Sequence, residues 1–401
     1  MNRILLSALA FMTALAGGTV TAQTTVSTPA AAECSLPAHP QMPVVAGETF
    51  PDTDGRHVNA HGGMIMEKDG TYYWYGENRA ICEPGKPRQP QGGVACYTST
   101  DLRHWQNRGI VLPVSDTPGD PLERGCTIER PKVVYNARTE KYVMWLHLEL
   151  KGVGYGSAYS ACAVADNPLG PFKVLSAGRV NPGKWPENLA AEKRTLDQPE
   201  GLEWWTPTWR KAVEYGMFTA RDLDKGQMAR DMTVFVDDDG TAYHVYSSEE
   251  NLTIQIAELD PTYTRHTGRY IRIFPGGHNE APALFKHDGT YWMITSGCTG
   301  WEPNEARLMR ADSIMGEWKQ LPNPCRGATA NRTYESQSTY VFVQDGQYTF
   351  MADRWKPADL ADSRHLWIPI QFDADGVPFM ELKPESTTSA ISEPPTWPGG
   401  K

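Results

Sequence analysis

The sequence predicts an all-β protein built as a single five-bladed β-propeller. One short unit returns five times along the 401 residues, and helical periodicity between the units is scarce. Each unit consists of a strand, a polar turn, an aromatic strand and a third strand that ends at an Asp. A β-sandwich is the alternative architecture, but it does not explain the five returns, whereas small sheets packed around an axis do.

The polar turn is the best-defined part of the unit. Glycine accepts the positive φ that a tight hairpin needs, so Asp-Gly between two β-rich runs predicts neighbouring antiparallel strands. Asp-Gly stands at residues 69–70, 239–240, 288–289 and 345–346, and Glu140-Lys141 takes its place in the second unit. The third strands end at Asp101, Asp166, Asp260, Asp312 and Asp373.

The propeller is expected to span residues 46–385, with distinct segments on either side. Residues 1–22 combine Arg3, an apolar run and a small-residue cleavage site, which is typical of a signal peptide and predicts a secreted or periplasmic protein. A membrane anchor is the alternative, but the apolar run is shorter than the ~20 residues of a span. Residues 23–45 predict a flexible linker and residues 386–401 a C-terminal tail.

A Trp-rich insert of about residues 174–229 separates the second and third units. Loops of such length are usually functional. Its tryptophans either stack on sugar rings or pack the insert onto the body, and they are Trp185, Trp204, Trp205 and Trp209.

Composition excludes several classes of partner. A net charge of −10 and a pI near 5.5 argue against a nucleic acid, because few cations are available to neutralise phosphates. No segment after the N-terminal run is long and apolar enough to span a membrane. The seven cysteines are odd in number and contain no C-x-x-C, so they indicate neither a disulfide framework nor a zinc site. We expect a monomer.

The first strands of the five units predict the functional site, because in a propeller they line the central channel. Glu129, Asp231 and Glu280 stand at equivalent places in three of them. The other two first strands begin near His61 and Gln337. Hydrolysis of a glycosidic bond needs such convergence, with one group that protonates the leaving oxygen and another that activates water.

These motifs resemble glycoside hydrolase family 43 from about residue 46 to residue 383. Glu280-Ala281-Pro282, followed by a Lys-x-Asp-Gly-x-Tyr hairpin, is similar to the general-acid strand of that family. Arg230-Asp231 is similar to the strand whose Asp tunes the pKa of the acid. The resemblance implies a five-bladed propeller, inversion of the anomeric centre, Glu280 as general acid and Asp231 as its modulator.

The first unit departs from the family, because no carboxylate stands beside His61 where the catalytic-base Asp is usual. The same departure is found in exo-β-1,3-galactanases of the family, which the chain also resembles at residues 59–63, 73–77, 129–133, 300–304, 336–337 and 353–355. That branch implies that Gln337 holds the nucleophilic water, as an imidic-acid tautomer, and that Glu129 binds the sugar. Because an amide takes up a proton reluctantly, Glu335 and Glu129 are rivals for the base. Residues i and i+2 of a strand share a face, which would put Glu335 beside Gln337.

Further candidates complete the predicted site. His61, Glu77 and Glu335 are expected to bind substrate, and Trp301 and Trp355 to form stacking walls. No residue cluster has the spacing of a zinc or calcium site, so no metal and no required cofactor are predicted. Some members of the family hold a calcium in the channel, and the sequence leaves that open here.

The leading functional hypothesis is an exo-acting β-1,3-galactosidase on plant-type galactan or arabinogalactan. An α-L-arabinofuranosidase or galactofuranosidase on the same scaffold is the first alternative, because Glu335 stands where these galactanases tend to carry an aromatic residue and the Trp-rich insert also departs from their pattern. A non-catalytic, carbohydrate-binding propeller is the second, because the first-blade Asp is missing.

Overall fold

The computed structural model describes residues 39–79, 91–194 and 202–383. In chain order the strands are β1 (Val45–Ala46), β2 (His61–Lys68), β3 (Thr71–Asn78), β4 (Gly93–Ser99), β5 (Gln106–Pro113), β6 (Thr127–Asn136), β7 (Lys141–Glu149), β8 (Tyr159–Ala165), β9 (Lys173–Gly178), β10 (Met232–Val236), β11 (Ala242–Ser248), β12 (Thr253–Leu259), β13 (His266–Ile273), β14 (Glu280–His287), β15 (Thr290–Ser296), β16 (Arg307–Ala311), β17 (Trp318–Leu321), β18 (Cys325–Arg326), β19 (Gln337–Gln344), β20 (Gln347–Arg354), β21 (Arg364–Phe372) and β22 (Pro378–Glu381). Two α-helices, α1 (Pro207–Glu214) and α2 (Met217–Arg221), lie between β9 and β10. Four short 3-10 helices span Gly154–Gly156, Ala191–Lys193, Ala330–Glu335 and Leu360–Asp362.

These strands form the five blades that the repeats predict. Strands β2–β5, β6–β9, β10–β13 and β14–β17 are four-stranded sheets, and β19–β22 with β18 and β1 form a six-stranded sheet. The first strands β2, β6, β10, β14 and β19 contact one another in that order, and β19 contacts β2 again. The fold is therefore a closed five-bladed β-propeller with the first strands around its axis. Strand β1 pairs with β21, which joins the start of the propeller to its last blade.

The blades contain one strand more than the predicted unit. Strands β5 and β9 are mostly exposed and lack the alternation of buried and exposed residues that identifies a strand in a sequence. The Asp residues at the ends of the third strands form the turns that lead into the fourth strands. Asp101 Oδ1 accepts hydrogen bonds from the backbone of Arg103 and His104, and Asp260 Oδ1 accepts them from Thr264 and Arg265. These Asp residues thus fix the turn that leads into the fourth strand.

Apolar clusters between neighbouring blades hold the ring together. Trp74 of the first blade packs against Trp105 at a centroid distance of 5.3 Å and against Trp367 of the fifth blade at 4.7 Å. All three tryptophans are buried, with Phe50 beside them. Because large aromatic side chains dominate the burial of apolar area, this cluster stabilises the contact between the first and last blades.

The predicted segment boundaries shift in two places. Strand β9 occupies Lys173–Gly178, so the insert begins after it, and β1 begins at Val45, within the predicted linker. In the insert, Trp209 is buried, whereas Trp204 and Trp205 are about half exposed. The predicted signal peptide, the linker up to residue 38 and the tail lie outside the described residues. Within the described ranges, no helix has the length and apolar character that crossing a membrane requires.

Candidate active site

Residues from all five blades surround one pocket of about 240 Å³ at the mouth of the central channel. Seven of the predicted site residues line it: Glu77, Glu129, Asp231, Glu280, Trp301, Gln337 and Trp355. Seven further residues complete the lining: Arg79, Arg130, His147, Tyr155, Arg230, Asn251 and Gly300. The convergence that the first strands predict is therefore present.

A repeated backbone conformation in the first strands binds a carboxylate of the preceding blade. The register shifts in four of the first strands, and in three of them Gly62, Arg130 and Ala281 adopt φ values of 59°, 52° and 55°. Each of these residues turns its N–H toward a carboxylate of the preceding blade. The N–H groups donate to Asp353 Oδ2 at 2.6 Å, Glu77 Oε1 at 3.1 Å and Asp231 Oδ2 at 3.1 Å respectively. At residue 62 only glycine fits, because a Cβ would lie 2.1 Å from Glu77 Oε1.

Glu280 has the properties of a general acid. Burial and then the neighbouring Asp231 charge raise its pKa to about 7. Asn251 Nδ2 donates a hydrogen bond to Glu280 Oε1 at 2.7 Å. A carboxyl group with this pKa holds its proton near neutral pH and can deliver it to a leaving group.

Arg130 connects Asp231 with Gln337. Its Nε lies 3.0 Å from Asp231 Oδ2, and its Nη2 donates to Gln337 Oε1 at 2.6 Å. Since the Ala281 N–H also binds Asp231, this carboxylate is fixed from two sides beside Glu280. One buried guanidinium therefore positions both Asp231, which lies beside the candidate acid, and Gln337.

The amide of Gln337 has a defined orientation. Oε1 accepts hydrogen bonds from Arg130 Nη2 and from Trp355 Nε1 at 3.0 Å, and both of these groups can only donate. Nε2 donates to Ser296 Oγ at 3.0 Å. The second N–H of the amide remains for the pocket, where it can bind the oxygen of a water molecule.

A second ionic cluster lines the pocket next to Asp231, because ligand atoms of Glu129, His147 and Asp231 lie within 4.8 Å of one another. Glu129 accepts hydrogen bonds from Tyr155 Oη at 2.7 Å and Arg79 Nη2 at 3.2 Å, and lies 3.1 Å from His147 Nδ1. Burial alone would raise the pKa of Glu129, but the His147 hydrogen bond and charge, with Arg79, hold it well below its usual range. Arg79 also pairs with Glu77, whose pKa burial raises to about 7. Such charged groups suit recognition of sugar hydroxyls.

Trp301 and Trp355 form one aromatic wall of the pocket. Their ring centroids lie 5.4 Å apart at an interplanar angle of 69°, and 39% of Trp301 is exposed. The Arg79 guanidinium lies over the Trp355 ring at 5.7 Å. Both tryptophans were predicted as stacking walls, and this placement leaves the exposed Trp301 face toward solvent at the pocket edge.

Two predicted site residues lie outside this lining. His61 is fully buried, stacks on His365 at 4.8 Å and lies 3.5 Å from Asp353, so it supports the strand beneath Trp355. Glu335 pairs with Arg332 at 2.8 Å and borders a smaller cavity behind Trp301 and Trp355. The periodicity argument for Glu335 was wrong, because β19 begins only at Gln337 and Glu335 has φ of 63°.

Three lining residues that sequence reasoning missed, Arg79, Tyr155 and Asn251, share one origin. Each blade contributes a residue from the loop between its second and third strands, and they are Arg79, Tyr155, Asn251, Trp301 and Trp355. In an antiparallel sheet this loop lies at the same end as the start of the first strand. The predicted topology therefore contained a signal for Arg79, Tyr155 and Asn251 that the motif analysis did not use.

Two groups in the described residues have the composition of a metal site, and neither fits one. Glu129, His147 and Asp231 offer ligand atoms within 4.8 Å of one another, as do His57, His61 and His365. In the first group, the two nitrogens of His147 face Glu129 at 3.1 Å and Glu149 at 2.9 Å. Because both nitrogens face carboxylates, the imidazole has no lone pair free for a metal. His365 likewise uses both nitrogens, toward Asp353 and the Val58 carbonyl.

Comparison with known proteins finds similar glycoside hydrolases. The model of glycosyl hydrolases family 43 matches residues 203–378. A solved β-1,3-galactosidase of this family, in complex with galactodeoxynojirimycin, is 57% identical with a TM-score of 0.82, over 85% of this chain and 99% of that one. An exo-β-1,3-galactanase from Clostridium thermocellum is 34% identical with a TM-score of 0.66, over 84% of this chain and 64% of that one.

A β-D-galactofuranosidase of Aspergillus niger is 30% identical over 125 residues, which are 30% of this chain and 36% of that protein. The chain thus spans about a third of the length of this curated relative. The 57% identical structure, in contrast, is matched over nearly its whole length. The chain therefore belongs to glycoside hydrolase family 43, is a glycoside hydrolase with the five-bladed propeller fold, and resembles the exo-β-1,3-galactanase branch of that family.

Proposed function

We propose that this protein is an exo-acting β-1,3-galactosidase that hydrolyses plant-type galactan or arabinogalactan with inversion. The observation that carries the proposal is one pocket in which Glu280, with its pKa raised to about 7, lies beside Asp231 and shares the lining with Gln337. Solved relatives with this fold are a β-1,3-galactosidase and exo-β-1,3-galactanases.

In the proposed reaction, Glu280 donates its proton to the leaving glycosidic oxygen. Burial, and then the Asp231 charge, raise the pKa of Glu280 and keep that proton bound near neutral pH until the bond breaks. Gln337 holds the attacking water through the N–H that its other contacts leave free. In this orientation the amide nitrogen only donates, so Gln337 accepts the proton of the water as the imidic-acid tautomer, in which Nε2 has a lone pair and Oε1 carries a proton. When Nε2 takes up the proton of the water, the Oε1 proton passes to solvent and the amide is restored.

The shape of the site supports action at a chain end. The pocket encloses about 240 Å³, somewhat less than the roughly 300 Å³ at which pockets for drug-sized ligands begin. Trp301 and Trp355 form one wall, and the Arg79 and Glu129 cluster forms another. A single terminal sugar held between these walls would leave the rest of the polymer in solvent.

Export from the cytoplasm is a further part of the proposal. It is supported by the sequence of residues 1–22, which combines a basic start, an apolar run and a small-residue cleavage site. Sequencing the N-terminus of protein recovered from culture medium or periplasm tests it. A mature chain beginning near Gln23 is expected, and an intact Met1 in the cytoplasmic fraction would contradict export.

A product screen tests the substrate. Purified protein is incubated with β-1,3-galactan, arabinogalactan and arabinan, and the products are followed by chromatography. Galactose alone, released from the start of the reaction, is expected from β-1,3-galactan. The absence of galactose would contradict the proposal.

The similarity to a β-D-galactofuranosidase supports a second candidate function, that of a furanosidase. A panel of nitrophenyl glycosides separates the two, because a furanosidase would cleave the β-galactofuranoside or the α-L-arabinofuranoside and spare the β-galactopyranoside. A non-catalytic binding role finds no support in a pocket that retains an acid with a raised pKa.

A further inference from the structure

The Trp-rich insert packs against a loop of the active site, although none of its described residues lines the pocket. This loop, residues 249–252, joins β11 to β12. Within it, Asn251 lines the pocket and donates to Glu280. The insert therefore has a physical connection to the candidate general acid.

The first residue of the loop is fixed by a buried ion pair. Arg272 donates to Glu249 Oε1 at 2.7 Å and Oε2 at 2.6 Å, and both side chains are almost completely buried. The same guanidinium donates to the carbonyl oxygens of Val213 and Glu214, at the end of α1. Thr219 Oγ1 in α2 also donates to Glu249. One end of the loop is thus bonded to both helices of the insert.

The insert also holds the residues on either side of Asn251. Glu250 pairs with Arg221 of α2 at 2.8 Å. Leu252 is fully buried in a small apolar cluster whose other buried members all belong to the insert: Trp209, Val213, Met217 and Phe218. Of the four loop residues, Asn251 alone turns its side chain toward the catalytic pocket.

The loop needs this support because of its backbone. Glu249, Glu250 and Asn251 have φ values of 54°, 58° and 62° in succession. L-residues other than glycine rarely adopt this left-handed conformation, and almost never three in a row. Such a backbone persists where surrounding contacts determine it, and strained segments of this kind concentrate at functional sites.

The hydrogen bond that results influences where the proton of the acid lies. Asn251 Nδ2 is a donor, so Glu280 Oε1 must accept. A carbonyl oxygen is a better acceptor than a hydroxyl oxygen, so this hydrogen bond favours the acid form in which Oε1 is the carbonyl oxygen and Oε2 carries the proton. We propose that the Trp-rich insert is a positioning module that holds Asn251 on Glu280 Oε1 and so directs the proton on Oε2 at the leaving oxygen. This inference rests on the proposed role of Glu280 as general acid, but not on the identity of the sugar.

The test compares two leaving groups on the same sugar. The dinitrophenolate leaving group of a dinitrophenyl glycoside departs without being protonated, whereas the sugar leaving group of a disaccharide must be protonated. We expect Asn251→Ala and Leu252→Ala to lower kcat on the disaccharide by about tenfold or more and to change kcat on the dinitrophenyl glycoside by less than about threefold. Leu259→Ala is the matched control, because Leu259 is also buried but packs in a different cluster.

Each outcome decides the inference. An equal loss on both substrates in Leu252→Ala, or a ratio no different from that of Leu259→Ala, would overturn it. If Leu252→Ala does not fold, the milder Phe218→Leu is compared with Asn251→Ala in the same way. The glycone is whichever sugar the wild type releases, so failure to release galactose would overturn the proposed function and leave this comparison intact.

Discussion

Arg130 Nη2 donates a hydrogen bond to Gln337 Oε1 at 2.6 Å and thereby fixes which end of the Gln337 amide faces the pocket. The same guanidinium pairs with Asp231, whose charge raises the pKa of Glu280. The proposed water-binding residue Gln337 and the proposed general acid Glu280 are thus linked through one buried cation. Their geometry cannot change independently.

Removing the Gln337 amide is expected to remove the water site. Gln337→Ala should lower kcat by about 10²-fold or more, the usual contribution of a positioned acid–base group. Gln337→Glu should keep a larger part of the activity, because a carboxylate still accepts from Arg130 and Trp355 and can take the proton of water. Steady-state kinetics of both variants check this, and equal activities of the two would contradict a role in handling water.

The rate should depend on pH through Glu280. Its pKa of about 7 means that kcat/KM falls as the pH rises past neutrality, because the acid must be protonated. Burial is the larger cause of this pKa and the Asp231 charge the next, so Asp231→Asn should move the basic limb to lower pH by roughly one unit. A pH profile unchanged by Asp231→Asn would disagree with this assignment.

His147 should stabilise the fold in a pH-dependent way. Burial lowers its pKa, but hydrogen bonds to Glu129 and Glu149 prevail and raise it to about 9. A raised pKa contributes stability fully below the ordinary value near 6.5 and loses it as the pH rises through about 9. The contribution is of the order of 3 kcal/mol.

The measurement is the difference in unfolding free energy between wild type and His147→Gln, by urea denaturation from pH 6 to pH 9.5. A difference is needed because buried Lys132, whose pKa burial lowers to about 7, changes the stability in the opposite direction. The difference should be largest at pH 6 and shrink toward pH 9.5. A constant difference would show that folding does not shift the pKa of His147, which would contradict its pairing with Glu129 and Glu149 as a cation.

Chelation should leave the enzyme unchanged. Glu129 and Asp231 already face the cationic His147 and Arg130, at 3.1 Å and 3.0 Å respectively, and a metal would have to displace these groups. Activity and thermal midpoint are therefore expected to stay the same after treatment with EDTA. A loss that added Ca²⁺ restores would contradict this reading of the channel.

Much of the fold could be predicted because repetition is visible in a sequence. The Asp-Gly turns identified the hairpins, and equivalent places in them brought Glu129, Asp231 and Glu280 to one pocket. Two of the fourth strands, β5 and β9, were missed because their residues are mostly exposed and do not alternate. Repetition in a sequence identifies the strands that bury the same face in every blade, but it does not identify the edge strands.

Contacts between blades account for the rest of what the sequence did not predict. The sequence motif at residues 129–133 gave no role to Arg130, because its partners Asp231 and Gln337 lie about a hundred and two hundred residues further along the chain. Asn251 reaches Glu280 through a left-handed loop that no local pattern indicates. Glu335 was misplaced because a strand was assumed where a 3-10 helix ends. Such relationships depend on tertiary packing and not on local periodicity.

The configuration of the first product tests the central claim most directly. Wild type is mixed with a β-1,3-linked galactooligosaccharide in an NMR tube, and the anomeric signals are followed before mutarotation. Catalysis by Glu280 with water held at Gln337 predicts that α-galactose appears first, with no larger fragment, and that Glu280→Gln yields almost none. Release of β-galactose, internal fragments, or undiminished activity of Glu280→Gln would contradict the account.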